Sequence, residues 1–240
     1  MRGKPLPCVP GGLTLGLSVV LLHGLAPAIQ AGYVSHHFSM NQSNELADGV
    51  VYGSVHFEAY DGIGPAGGGL SAGQVRLTLS ATQPPAYGGV GKNFGIQKFG
   101  FMTSLSIPAD DISGPAGWSV GFNRTMDGFG RFSVVLSGTG SSRVNPAVIT
   151  ISNLGSGARL ENFLVGSRTS SGDVPPEGAA YFAAHVAGFK CQPGSHYIAA
   201  PAVVREAPVP PTWALALAGS GCWGVCSGWR GWRRRDLPAC

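Results

Sequence analysis

The side chains here with a capacity for chemistry are six histidines and a dozen carboxylates. His36-His37 and His56 have the ring nitrogens to bind a transition metal if two strands bring them together. Adjacent residues on a strand face opposite ways, so His36 and His37 cannot both turn to one ion. Packed or surface histidines are the plainer reading. Asp110-Asp111, just ahead of Gly114-Pro115, pair two carboxylates in a loop, as a calcium ion requires. The same residues suit a turn, where Asp bonds to nearby backbone N–H groups, and Asp127-Gly128 reads that way too. Glu58 and Asp61 are conceivable as a glycosidase pair, but nothing in the sequence fixes their separation. Trp118, Phe122, Phe129 and Phe132 lie close in sequence. Such aromatics can stack on sugar rings, although core packing is their commoner use. His185, inside Phe182-Ala183-Ala184-His185-Val186, reads as a strand residue with a satisfied ring. A nucleophile elbow, a zinc-binding Cys/His spacing, a phosphate-binding loop and a dinucleotide fingerprint are all missing. The sequence therefore assigns no catalytic, cofactor-binding or metal-binding residue. The expectation is a protein that is not an enzyme and uses no cofactor.

The elements that would position these residues are strands. Val75, Leu77 and Leu79 alternate with Gln74, Arg76, Thr78 and Ser80. Phe132, Val134 and Leu136 alternate with Arg131, Ser133 and Ser137, with Val135 as the exception. Period-two alternation is the signature of a half-buried strand. Further strands are expected over 50–60, 94–107, 118–122, 148–152 and 181–189. Gly, Pro, Asn and Asp punctuate the intervals between them. Residues 160–165 fit one helical turn in a crossover. Short strands with frequent turns predict an all-β fold, an antiparallel β-sandwich of jelly-roll-like type.

Composition agrees. Charged residues make up 12% of the 240, against 38 Gly and 18 Pro. About 25% charged is ordinary for a soluble domain. Gly and Pro disfavour helix interiors. The net charge of +4 does not indicate nucleic-acid binding, because of where it sits. From Gly32 to Arg205 the chain carries ten basic and ten acidic residues. The surplus flanks the two ends, where membrane topology uses positive charge. Of five Cys, only Cys191 lies between the leader and the tail, so no internal disulfide framework is expected.

The ends carry the strongest signals. Met1-Arg2-Gly3-Lys4 precedes an apolar run from Leu13 to Leu25, then the small residues Ala26-Pro27-Ala28-Ile29-Gln30-Ala31. That is the pattern of a helical export signal with cleavage after Ala28 or Ala31. At the other end no charge occurs between Glu206 and Arg230. The stretch 213–229 would span about 26 Å as a helix, at the short limit for a membrane crossing. Trp213 and Trp229 suit its interfaces, and Arg230, Arg233, Arg234 and Arg235 form a cytoplasmic stop.

This tail resembles the PEP-CTERM sorting tail of exported bacterial proteins. The likeness rests on Pro208-Val209-Pro210-Pro211-Thr212, the short apolar segment and the Arg cluster. Val209, Pro210, Pro211 and Thr212 occupy the place of the family's Val-Pro-Glu-Pro-Ser-like motif, without its Glu and Ser. Gly117-Trp118-Ser119-Val120-Gly121-Phe122 and Asp127-Gly128-Phe129-Gly130-Arg131-Phe132 are similar to strings in ectodomains of such proteins. The resemblance implies recognition by an exosortase, a transient inner-membrane anchor and association with extracellular polysaccharide and biofilm. The expected organisation is a signal peptide (1–31), a β-sandwich ectodomain (32–191), a Pro/Ala-rich stalk (192–208) and a sorting tail (209–235, crossing the membrane over 213–229), with a short end at 236–240. The expected partners are the export machinery, the exosortase, the membrane and a polysaccharide, not nucleic acid. The expected place is the cell envelope or the matrix outside it. A carbohydrate-binding surface module is the alternative.

Overall fold

The strand that best displays its own logic is Gln74–Ala81, in which every second residue is buried. Val75, Leu77 and Leu79 turn inward, while Arg76 and Thr78 face out. In the computed structural model, which describes residues 32–83, 90–190 and 194–202, this strand lies near the middle of one of two antiparallel sheets.

In chain order the strands are β1 (Tyr33–Met40), β2 (Gln42–Ser43), β3 (Gly53–Tyr60), β4 (Gln74–Ala81), β5 (Val90–Phe101), β6 (Ile112–Ser113), β7 (Ser119–Met126), β8 (Gly130–Ser137), β9 (Ala147–Ile151), β10 (Ala180–Phe189) and β11 (Ser195–Pro201). The first sheet runs β1-β3-β4-β9-β6 and the second β2-β11-β10-β5-β8-β7. The chain crosses repeatedly between them. Among the described residues helix is confined to short 3₁₀ turns, one of which, Leu160–Phe163, lies where a helical turn was expected.

The sheets meet over one apolar core. Phe57, Leu77, Leu79 and Ile149 of the first sheet pack with Phe99, Phe101, Phe182 and Val186 of the second. Phe57 and Phe101 each approach Phe163, with ring centroids 5.2 and 5.9 Å apart. The all-β expectation therefore holds, and the architecture is a β-sandwich. Fully burying each large apolar side chain contributes about 1.5–3 kcal/mol.

Three features differ from the sequence reading. Phe132 does not share a face with Val134 and Leu136. It joins Val135, Met126 and Phe129 in a second cluster on the outer side of the second sheet, over Ala183 and Ala199. The cause is a break in alternation. Asn123, opposite this step on β7, has a left-handed φ of 53°, which shifts the phase of the hairpin. Gly100 supplies the room, because a Cβ there would lie 3.1 Å from Phe132 Cγ. Second, residues 195–201 are not stalk. They form β11, which pairs with β10 on one side and β2 on the other. The run Ile198-Ala199-Ala200 is small and apolar enough to be buried there. Third, 33–40 forms an edge strand of the first sheet that the turn-and-alternation pattern did not announce.

The export signal, the sorting residues Val209–Thr212, the segment 213–229, the arginines 230–235 and Cys191 lie outside the described residues. Among the described residues no helix is long and apolar enough to cross a membrane.

Candidate functional site

The outer face of the first sheet brings together His37, His56 and Glu58 of the histidines and carboxylates considered above. Antiparallel register sets Ser35 opposite Glu58, His37 opposite His56, and Glu58 opposite Arg76. Directly opposed side chains in such pairs stand about 5 Å apart at Cβ, close enough to interact.

Glu58 is the centre. Its side chain is 7% exposed. Tyr33 Oη donates to its Oε1 at 2.7 Å, and Arg76 Nε and Nη2 donate to its Oε2 at 2.8 and 2.7 Å. Burial pushes the carboxyl pKa up, but the hydrogen bonds from Tyr33 and Arg76, with the arginine's charge, outweigh it and hold the pKa below the usual value. The same Tyr33–Glu58 bond, with burial, raises the phenol of Tyr33. Arg76 Nη2 also donates to the carbonyl of Gly68, fixing the 61–73 loop against the sheet.

His56 lies beside this triad. Its Nε2 is 2.8 Å from Ser35 Oγ, and its Nδ1 is 3.7 Å from Glu58 Oε2. Hydroxyl, imidazole and carboxylate thus follow the order of a hydrolytic triad. It differs from one in that the carboxylate is already engaged by Arg76 and Tyr33. The arrangement can bind hydroxyl and carboxylate groups through a row of fixed donors and acceptors.

The histidines divide as strand geometry demands. His37 stacks flat on His56, with centroids 4.1 Å apart and planes 1° apart. His36 lies on the other side of β1, 4.6 Å from Phe38. Among the described residues no three His, Cys, Asp or Glu side chains are grouped to hold a metal. Asp61 does not face Glu58 across a cleft. It is buried, pairs with Arg159 at 3.3 Å and accepts the N–H of Ile63. Asp111 accepts from Asn153 Nδ2 at 2.6 Å, so its carboxylate ties two segments distant in sequence rather than bonding nearby backbone N–H groups.

The aromatics separate as well. Phe129 and Phe132 are fully buried. Trp118 packs against the core and donates its indole N–H to the carbonyl of Ser142 at 2.8 Å. Phe122 is 41% exposed. It lines a shallow groove of about 460 Å³ with Thr103, Ser106, Asn123 and Ser133. His185 stacks on Tyr197 at 4.6 Å between centroids. Burial lowers its pKa, and the nearby cations Lys98 and Arg143, with His196, lower it further. Tyr33 and Arg76 were missed in the sequence. Only the pairing register connects them to Glu58, and that register is not local.

No protein-family model, curated protein or solved structure matches this chain.

Proposed function

We propose that this chain is an exported bacterial surface or matrix protein without catalytic function, sorted by its C-terminal tail and associated with extracellular polysaccharide. The observation that carries the reading is the outer face of the first sheet, where Tyr33, Ser35, His37, His56 and Arg76 form a row of hydrogen-bonding groups braced by the buried Glu58. Sugars present hydroxyls, and a prealigned row of donors and acceptors binds them with little ordering cost. In this reading residues 1–31 form an export signal helix. Residues 213–229 cross the membrane, held by Arg230, Arg233, Arg234 and Arg235. An exosortase acts near Val209-Pro210-Pro211-Thr212. The ectodomain is jelly-roll-like, in that its chain passes repeatedly from sheet to sheet. The test is an epitope placed directly after Ala202, beyond β11, in hosts with and without an exosortase. A smaller, released form only in the presence of the enzyme supports the sorting. The same full-length species in both hosts removes it.

The alternative, a carbohydrate-binding surface module, draws on the groove at Phe122, where one exposed ring borders three hydroxyls. Phe122→Ala is then expected to weaken retention on an insoluble polysaccharide about tenfold, as stacking rings contribute about 1 kcal/mol or more. Unchanged retention rejects that groove as the contact.

A further inference from the structure

The second sheet has a groove on its outer face, about 260 Å³ in volume, between β5, β8 and β7. A single row crosses the sheet here. Ser119 on β7 opposes Ser137 on β8, Ser137 opposes Lys98 on β5, Lys98 opposes His185 on β10, and His185 opposes Tyr197 on β11. Lys98 and Arg124 both line the groove, with Ser119, Thr125 and Ser137 supplying hydroxyls.

Arg124 reaches this face through the break at Asn123. Strict alternation from Ser119 would place residue 124 on the inner side. The left-handed Asn123 reverses the phase, and Arg124 lies back along the strand over Gly121. A Cβ on Gly121 would meet its Cγ at 3.4 Å and its Nε at 3.5 Å. Neither Lys98 nor Arg124 forms an ion pair among the described residues, whereas Arg76 and Arg159 each hold a carboxylate. Lys98 extends toward the Tyr197 ring, 6.0 Å from its centroid. Burial does most to lower the His185 pKa, with Lys98 and Arg143 adding to it, while the charge of Asp127 acts on Tyr197 at the end of the same row.

We propose that this groove binds the carboxylate of an acidic sugar unit, a uronate in an anionic polysaccharide. The inference rests on the polysaccharide reading above and names its charge. A guanidinium fork matches a carboxylate and hydroxyls fit the neighbouring ring oxygens, while the Lys98 ammonium, drawn toward Tyr197, adds its charge at longer range. The groove lies just below the range of about 300–1,000 Å³ of drug-sized pockets, which suits a sugar unit rather than a larger ligand. The ten basic residues that balance ten acidic ones between Gly32 and Arg205 include Lys98 and Arg124, and these two line one groove without a carboxylate partner among the described residues. Nucleic acid, which draws on about 6–10 phosphate contacts in a typical complex, is a poorer fit.

The test uses the full-length chain in detergent with three probes: polygalacturonate, the same polymer with its carboxyls reduced to neutral alcohols, and duplex DNA. The expected result is binding to polygalacturonate, at least tenfold weaker binding to the reduced polymer, and a further loss on raising salt. Lys98→Met with Arg124→Gln is expected to abolish that preference while the unfolding temperature stays unchanged, and Lys98→Arg is expected to keep it. Equal binding of both polymers, unaffected by the double variant, overturns the groove but leaves the polysaccharide reading standing. Tighter binding to DNA overturns it in favour of a phosphate polymer. Binding to none of the three overturns the groove and the polysaccharide reading together.

Discussion

Glu58 keeps its charge because Tyr33 and Arg76 surround it with donors, and that makes it a reporter of pH. Its folded pKa lies below the value of about 4.3 expected of an unfolded chain. Its contribution to stability is therefore present above that value and is lost as pH falls through the folded pKa. The urea midpoint of the wild type is expected to fall more steeply below about pH 4.3 than that of Glu58→Gln. Parallel slopes would show that the carboxylate carries no such linkage. A second residue works out of sight of solvent. Ser167 is fully buried, donates to the carbonyl of Phe129 at 2.6 Å and accepts the N–H of Ala180 at 2.9 Å. Ser167→Ala leaves both backbone groups without that partner, at a cost of about 1–3 kcal/mol. Denaturant unfolding would measure it, and faster hydrogen exchange at the Ala180 amide would locate it. A loss within error would mean that the segment relaxes to other partners.

At the scale of elements, the β7–β8 hairpin owes its change of face to the left-handed Asn123 and its room to the missing side chain of Gly100. Gly100→Ala would place a methyl 3.1 Å from Phe132 Cγ and 3.2 Å from Met126 Cγ. Overpacking of this kind costs about 1–3 kcal/mol. The variant is expected to unfold at lower denaturant, and Gly100→Ala combined with Phe132→Leu to recover part of the loss. No recovery would show that the ring is not what the methyl meets. Such details set the limit of what the sequence discloses. β4 was legible because its inward residues Val75, Leu77 and Leu79 are large and regularly spaced. β11 was not, since Ala199 and Ala200 are too small to mark a buried strand and Pro201 suggests a linker. The phase shift at Asn123 was also hidden, for asparagine adopts left-handed backbone only where its surroundings require it. Of the site, His37, His56 and Glu58 stood out by type. Their union with Tyr33 and Arg76 depended on a register between strands that no local pattern states.

For the whole molecule, the sandwich ends in a strand that lies inside its sheet, flanked on both sides. Truncation after Lys190 would strip β11 from between β10 and β2 and expose Phe182-side core residues now covered by Ile198 and Ala200. That truncated chain is expected to lose cooperative unfolding, whereas truncation after Ala202 keeps it. Equal cooperativity in the two would make β11 dispensable.

The position of β11 also has a mechanical meaning. β11 ends at Pro201, so a pull applied at Ala202 reaches the folded body through β11 first. Its ladders to β10 and β2 run beside the strand. A load directed along the strand shears those bonds together, while a load across it would peel them one at a time. Loaded along β11, the described body therefore yields only when a whole ladder gives way at once.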